Sequence, residues 1–81
     1  ASKAGVARFV ESLAQEVKDD FVRVNAVMPS VIDTPLNRKD MPDAEFDRWV
    51  TPEALANVIL FLASEDASAV TGALVPVFNR V

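Results

Sequence analysis

Few side chains in this sequence can do chemistry, because its 81 residues include no cysteine, histidine or tyrosine. The absence of cysteine excludes a disulfide framework and a thiolate metal site, and the absence of histidine excludes imidazole bases and ligands. Two other residues are candidates: Lys3, which precedes the small residues Ala4 and Gly5, and Thr34, which follows Pro29. Taken alone, a lysine near a helix start is ordinarily a solvated charge, and a threonine before a proline is ordinarily a turn residue.

An amphipathic helix is predicted over residues 2–18, and it would position Lys3. Its apolar residues recur at intervals of three and four along one face, while charged and amide side chains take the other face. The apolar positions are Val6, Phe9, Val10, Leu13 and Val17. This spacing predicts that one side of the helix is buried.

A buried strand is predicted over residues 21–28. Its side chains are apolar on most of both faces, which is typical of a parallel strand covered by helices. Pro29 is expected to end the strand, because proline cannot continue a central ladder. Residues 29–42 contain three prolines and no periodic pattern, which predicts a loop. Since ligands bind at the carboxyl ends of strands in open α/β sheets, this loop is the candidate binding segment.

A short helix is predicted over residues 40–49, with Pro42 in its first turn. Phe46 and Trp49 are three positions apart, so they would form its buried side. An aromatic pair with this spacing is more often part of a core than of a substrate pocket. We therefore favour the core interpretation for this pair.

A longer helix and a second strand follow. Thr51 can cap the helix, Pro52 presets its first residue, and the helical spacing of apolar residues fades near residue 64. Residues 73–78 are predicted to be a strand, and Pro76, which lacks an N–H, predicts an edge position. Two strands joined through a loop and helices make one β-α-β unit, for which a right-handed crossover is expected.

The composition describes one apolar, mildly acidic unit over residues 1–81. Hydrophobic residues make up 51% of the chain, which argues against disorder, and the net charge of −4 without a basic run argues against nucleic-acid binding. No apolar stretch reaches the roughly 18–20 residues that a membrane helix needs. The sequence therefore predicts no nucleic-acid partner, no membrane segment and a cytoplasmic location. An apolar content this high in a short chain also suggests surfaces that another segment covers.

Four stretches, in this order, resemble the short-chain dehydrogenase/reductase family. Residues 2–6 resemble the end of its tyrosine-lysine motif, with Lys3 as the lysine. Residues 23–29 resemble its sixth strand, and Thr34 completes its Pro-Gly-x-x-x-Thr pattern. Residues 61–72 resemble its last helix and the turn into its last strand. The resemblance implies an α/β fold, namely the C-terminal part of a Rossmann-type doubly wound parallel sheet.

The resemblance also implies hydride transfer between NAD or NADP and the carbonyl group, or a related group, of a small-molecule substrate. Lys3 would lower the pKa of an upstream tyrosine, because a neighbouring ammonium favours the phenolate, and would also hold the nicotinamide ribose. Pro29 and Ile32 would line the nicotinamide, with the Ile32 backbone on its carboxamide, and Thr34 would contact the carboxamide or the pyrophosphate. The candidates for the substrate lid are Leu36, Met41 and Trp49. A homodimer or homotetramer, with the first helix as dimer face, is implied as well.

The loop over residues 33–49 looks like the quinoid dihydropteridine reductase branch, which implies a pterin-like substrate as one alternative. Two features depart from the family: Ser30 replaces a glycine, and residues 77–81 lack the aspartate and two glycines of many members. The glycine-rich phosphate loop and the tyrosine would lie upstream of residue 1, so the 81 residues alone are predicted to be inactive. Two alternatives remain open, a non-catalytic binding or assembly module of this fold and a free-standing α/β interaction domain.

Overall fold

The computed structural model describes residues 2–81, which contain three α-helices and a two-stranded parallel sheet. In chain order the elements are α1 (Lys3–Val17), β1 (Ala26–Pro29), α2 (Pro35–Asp40), α3 (Pro52–Ala63) and β2 (Leu74–Val77). Short 3-10 turns lie at Lys18–Asp20, Phe46–Arg48 and Glu65–Ala67. The α/β class and the order of helix and strand agree with the sequence-based prediction.

Helix α1 matches its predicted bounds, because its cap and its apolar face act together. The Ser2 hydroxyl caps the helix by accepting a hydrogen bond from the Gly5 N–H at 3.0 Å. Val10 and Ala14 are buried, at 5% and 3% exposure. Gly72 has a φ of +79°, and a Cβ there would meet the Ala14 Cβ at 3.6 Å, so the turn before β2 runs close to the helix. Helix α1 therefore packs its apolar face against the end of the chain that contains β2.

Helix α3 also agrees with its prediction. The Thr51 hydroxyl accepts a hydrogen bond from the Ala54 N–H at 3.0 Å, and Pro52 is the first helical residue. A proline fits this position because the N–H that it lacks would have no partner within the helix. The helix ends at Ala63, where the Ser64 N–H closes the last turn on the Phe61 carbonyl at 3.0 Å. Caps and periodicity were sufficient to place this helix.

Strand β1 is shorter than predicted, because it begins at Ala26 rather than at residue 21. Phe21 has a φ of +58° and is 97% exposed, so the chain turns there instead of extending into a buried strand. The strand includes Pro29 as its last residue, in register with Val77. The Ser30 N–H then donates to the Val77 carbonyl at 3.3 Å and closes the ladder.

The loop predicted over residues 29–42 contains helix α2, so that prediction was wrong in part. The Thr34 hydroxyl accepts a hydrogen bond from the Asn37 N–H at 3.1 Å, and Pro35 is the first helical residue. This Thr-Pro pair is the same start signal that begins α3. Conversely, the helix predicted over residues 40–49 is reduced to the single 3-10 turn Phe46–Arg48.

The two strands run parallel, with pairs from Ala26 with Leu74 to Pro29 with Val77. A separate parallel bridge joins Ile32 to Val50, and it ties the segment after β1 to the start of α3. Pro76 is exposed and pairs with Met28 across the sheet. A sheet of two strands does not distinguish an edge from a central strand, so the edge position of β2 stays a prediction. The carboxyl ends of both strands, and the residues that follow them, therefore lie at the same end of the sheet.

The core of residues 2–81 is small. Its buried apolar residues are Val10, Ala14, Trp49, Val50 and Ala67. Several large apolar side chains are exposed instead, among them Phe9 at 66% and Leu60 at 66%. No helix within residues 2–81 is both long and apolar enough to cross a membrane.

Candidate active site

Lys3 and Pro29 line one groove at the carboxyl end of β1. The other residues that line it are Val6, Val27, Met28 and Leu74. Lys3 reaches the groove from the first turn of α1, and Pro29 reaches it from the last position of the strand. The structure thus brings together two site residues that the sequence predicted. They lie at the carboxyl ends of the strands, where ligands bind in open α/β folds.

The aromatic ring of Phe78 lies beside the same lysine. The Lys3 Nζ is 5.7 Å from the ring centroid, which is within the range of cation–π attraction. Phe78 directly follows β2, whose last residue pairs with Pro29, so the register of the sheet places the ring near the groove. Phe78 was not predicted as a site residue. The one sequence feature that pointed to it is that residues 77–81 lack the aspartate of many family members.

The backbone of Ile32 presents one donor and one acceptor on the same side. The bridge to Val50 uses the carbonyl of Val31 and the N–H of Asp33, at 2.9 and 2.7 Å, so the polar groups of Ile32 itself face away from Val50. The Ile32 carbonyl accepts a hydrogen bond from the Asn37 side-chain amide at 2.8 Å. The Ile32 backbone therefore already binds one primary amide. A carboxamide is the same chemical group.

Thr34 lies apart from the Lys3 groove. Its groove is formed between the starts of α2 and α3, and the lining residues are Asp33, Thr34, Pro35, Arg38, Thr51, Pro52 and Glu53. The Thr34 hydroxyl accepts from the Asn37 N–H, which leaves its own O–H able to donate. Of the predicted cofactor residues, Pro29 thus shares the groove of Lys3, whereas Ile32 and Thr34 do not line it.

A chain of contacts begins at two residues that line the Thr34 groove, Asp33 and Arg38. Arg38 donates to both carboxylate oxygens of Asp33, at 2.6 and 2.8 Å. These hydrogen bonds hold the pKa of the Asp33 carboxyl below its ordinary value and raise the pKa of Arg38. The Arg38 guanidinium lies 4.4 Å from the centroid of the Phe46 ring, and that ring lies 4.9 Å from Trp49. Asp33 and Arg38, which sequence alone could not separate from a solvated loop, are therefore partners.

Comparison with known proteins identifies the family. The sequence profile described as enoyl-(acyl carrier protein) reductase matches residues 1–77. The chain is 44% identical to galactitol 2-dehydrogenase of Rhizobium johnstonii and 42% identical to 3-oxoacyl-[acyl-carrier-protein] reductase of Pseudomonas aeruginosa, in alignments that cover 94% and 95% of it. A short-chain type dehydrogenase/reductase from Mycobacterium ulcerans superposes with a TM-score of 0.81 at 31% identity, over 95% of this chain and 32% of that one.

The chain belongs to the short-chain dehydrogenase/reductase family. This is a family of NAD(P)-dependent oxidoreductases with the Rossmann fold, so the resemblance noted in the sequence is confirmed. The chain spans about a third of the length of the curated relatives, 34% in both cases.

The three predicted lid residues differ in exposure. Leu36 and Met41 are 67% and 40% exposed, so a ligand could reach either side chain. Trp49 is 5% exposed and packs against Phe46 at an interplanar angle of 58°, which agrees with the core interpretation of that pair. Contact of these three residues with a substrate stays a prediction.

The departures from the family pattern are built into one network. The Ser30 hydroxyl donates to the Phe78 carbonyl at 3.0 Å. Asn79 stands where many family members have glycine, and its φ of +54° lies in the left-handed region that glycine and asparagine tolerate best. Its side-chain amide donates to the carbonyls of Arg48 and Trp49 at 3.1 and 2.9 Å. Ser30 and Asn79 thus form side-chain hydrogen bonds that the glycines of the family pattern could not form.

Proposed function

We propose that this chain supplies the lysine, the nicotinamide loop and the substrate lid of an NAD(P)-dependent oxidoreductase that transfers hydride to or from a carbonyl-type substrate. The observation that carries the proposal is the groove shared by Lys3 and Pro29 at the carboxyl edge of the sheet. Two relatives named as a galactitol dehydrogenase and a 3-oxoacyl reductase support an alcohol or ketone as the substrate class.

Lys3 is assigned two tasks in this proposal. Its ammonium would stabilise the phenolate of a neighbouring tyrosine, which lowers the phenol pKa from about 10 toward working pH. The same ammonium has three N–H donors, so it would also bind the ribose hydroxyls of the cofactor. Lys3 is exposed and lies on the first turn of α1, where the Ser2 cap fixes the helix start but leaves the long side chain free to reach a ligand.

The remaining cofactor residues would orient the nicotinamide. Pro29 would pack against the ring with an apolar surface, and the Ile32 backbone would bind the carboxamide through the edge that Asn37 now uses. Thr34 would donate its hydroxyl proton to the carboxamide or to the pyrophosphate. When bound, the nicotinamide would supply or accept the hydride.

The test is a pair of lysine substitutions in the full-length protein. Lys3→Met is expected to lower kcat/KM by about a hundredfold or more, because general acid–base catalysis contributes 10²–10⁴ in rate. Lys18→Met is the control, since Lys18 directly follows the last residue of the same helix and its ammonium donates to the Gln15 side chain at 3.1 Å. Activity is followed through the absorbance of reduced nicotinamide with a ketone substrate panel. Equal activity of the two variants would contradict the proposal and would favour a non-catalytic binding module.

A pterin-like substrate is the second candidate, and the sequence of residues 33–49 carries it. Leu36 and Met41 expose apolar surface on which a flat ring could pack. The substrate panel should therefore include a quinoid dihydropterin beside simple ketones. A kcat/KM that is higher for the pterin than for every ketone would decide for this candidate.

The isolated 81 residues are expected neither to bind the cofactor tightly nor to turn over substrate. They contain only two glycines and no tyrosine, so the chain itself holds no glycine-rich phosphate loop and no phenol. NADH oxidation by the isolated chain would contradict this expectation.

We also propose a cytoplasmic homodimer or homotetramer with α1 as the subunit contact. The 66% exposure of Phe9 on this helix supports the contact. Light scattering of the full-length protein and of a Phe9→Glu variant tests the assembly, and cell fractionation tests the location.

A further inference from the structure

We propose that Phe78 and Ser30 are positioning residues for Lys3. In this arrangement, Ser30 fixes the backbone of Phe78, and the Phe78 ring holds the Lys3 ammonium beside the groove. The inference deepens the proposed function and rests on it, since it assigns how the lysine of that site is held.

The ring provides an attraction that restricts a flexible side chain. Lys3 is exposed and has four rotatable side-chain bonds, so fixing its ammonium costs conformational entropy. The negative face of the Phe78 ring, 5.7 Å from the Nζ, offsets part of this cost. A ring also carries no net charge, so it attracts the ammonium without neutralising it. The charge of Lys3 therefore stays available for a phenolate and a ribose.

Ser30 fixes the backbone from which this ring projects. Its N–H donates to the Val77 carbonyl at 3.3 Å, and its hydroxyl donates to the Phe78 carbonyl at 3.0 Å. The glycine of the usual family pattern would supply the first bond but not the second. Asn79, the next residue in the chain, donates its side-chain amide to the Trp49 carbonyl at 2.9 Å. The backbone of Phe78 is thus bonded by Ser30, and the residue that follows Phe78 is anchored separately.

The first experiment observes the lysine directly and needs no cofactor. Reductive dimethylation with ¹³C-formaldehyde keeps the positive charge, and a Lys3→Arg variant assigns the Lys3 methyl signal in the full-length protein. A ring near the ammonium is expected to shift this signal upfield. Phe78→Leu should return it to the position of a free lysine, while Phe78→Tyr should keep the shift. Phe21→Leu is the matched control, because the same change is made on a ring that is 97% exposed and not paired with a lysine among residues 2–81.

The second experiment measures binding of reduced nicotinamide cofactor by fluorescence. Phe78→Leu should weaken binding roughly two- to fivefold, which is the effect of an exposed cation–π pair, and Phe78→Tyr should restore it. Ser30→Ala should give a smaller loss together with a partial change in the Lys3 signal. Tighter binding in Phe78→Leu would overturn the positioning role.

The two experiments separate this inference from the proposed function. A Lys3 signal that Phe78→Leu leaves unchanged, in a protein that Lys3→Met inactivates, would overturn the inference and leave the function intact. A signal that moves, in a protein that Lys3→Met leaves active, would overturn both the function and the positioning role. Should Phe78→Leu fail to fold, Ser30→Ala provides the comparison, because it should move the Lys3 signal in part, and a signal that Ser30→Ala leaves unchanged would overturn the role of Ser30.

Discussion

The two ends of the small sheet are held by different kinds of contact. At the amino end, the part-buried side chains of Arg23 and Asn25 bind main-chain groups at the end of α3 and in the segment after it. At the carboxyl end, the short side chains of Ser30 and Asn79 bind main-chain groups in contacts that are mostly exposed. Hydrogen bonds contribute more when the donor is charged, and they cost more to break when their groups are buried. The amino end is therefore expected to be the more rigid of the two.

This difference matches the distribution of the family departures. Residues 23–29 resemble the sixth strand of the family, whereas Ser30 and the segment that contains Phe78 were noted as departures from the family pattern. The carboxyl end is also the edge at which α/β sheets bind ligands. A rigid amino end lets residues at the other end vary, because exposed contacts can be exchanged at little cost in stability.

The largest stability effect is expected for Arg23→Leu. The Arg23 Nη1 donates to the carbonyls of Leu62 and Ala67 at 2.6 and 3.1 Å, at the end of α3 and just beyond it. Loss of this charged donor should lower the free energy of unfolding of the full-length protein by about 2–3 kcal/mol, as measured in urea. Arg8→Leu is the control, since its partner Glu11 forms an exposed pair at 3.1 Å that contributes little. Equal losses of unfolding free energy in the two variants would contradict the prediction that the amino end is the more rigid one.

A smaller loss is expected for Asn25→Ala. The Asn25 amide donates to the Val70 carbonyl at 2.9 Å, and its oxygen accepts from the Ala73 N–H at 3.1 Å. Removing both should cost about 1–2 kcal/mol in the same urea experiment, because two part-buried main-chain groups lose their partner. Asn79→Ala, at the other end of the sheet, should cost less global stability. The reverse order would show that the carboxyl end limits unfolding.

Asn79 allows the carboxyl end to be tested locally. Its amide bonds and its φ of +54° are separable, because glycine keeps the left-handed backbone and removes only the amide. Asn79→Ala should therefore destabilise the segment by about 1 kcal/mol more than Asn79→Gly, which is the low end of the left-handed penalty. Hydrogen exchange at the Arg80 N–H, which donates to the Arg48 carbonyl at 3.2 Å, measures this local loss. Faster exchange in the glycine variant would contradict the backbone argument.

What the sequence could predict of the fold was local in origin. Helices α1 and α3 follow from a capping hydroxyl and an apolar period, both of which lie within the helix itself. The start of β1 was missed because Arg23 and Asn25 bind residues that are distant in sequence, and no short pattern shows such a partner. Helix α2 is a different case. The three prolines of residues 29–42 predict a loop, whereas the Thr34-Pro35 pair is a helix start signal of the same kind as the one at α3.

The same distinction between local patterns and partners distant in sequence applies to the candidate site. Lys3 and Pro29 were found because each belongs to a short motif, and the structure places both on one groove. Phe78 was not found, because its contact with Lys3 joins the two ends of the chain through the register of the sheet. Leu36 and Met41 remain predictions, since exposure alone does not distinguish a lid from an ordinary surface.

The smallest expected effect concerns the ion pair between Asp33 and Arg38, which lines the Thr34 groove. Arg38 binds the Asp33 carboxylate in a bidentate contact and lowers its pKa, so the ionised carboxylate stabilises the fold. This contribution is complete above the pKa of an unfolded aspartate and is lost as the pH falls through the lower pKa of the folded state. An NMR titration of the Asp33 carboxyl carbon should show a pKa below the ordinary value in the natural protein and a pKa near it in Arg38→Leu. The stability difference between these proteins should stay small at neutral pH, because the arginine side chain is 51% exposed, and should vanish at acid pH. If the Arg38 substitution leaves the Asp33 pKa unchanged, the contact between the two side chains does not persist in solution. The segment that contains them would then be no more rigid than the rest of the carboxyl end.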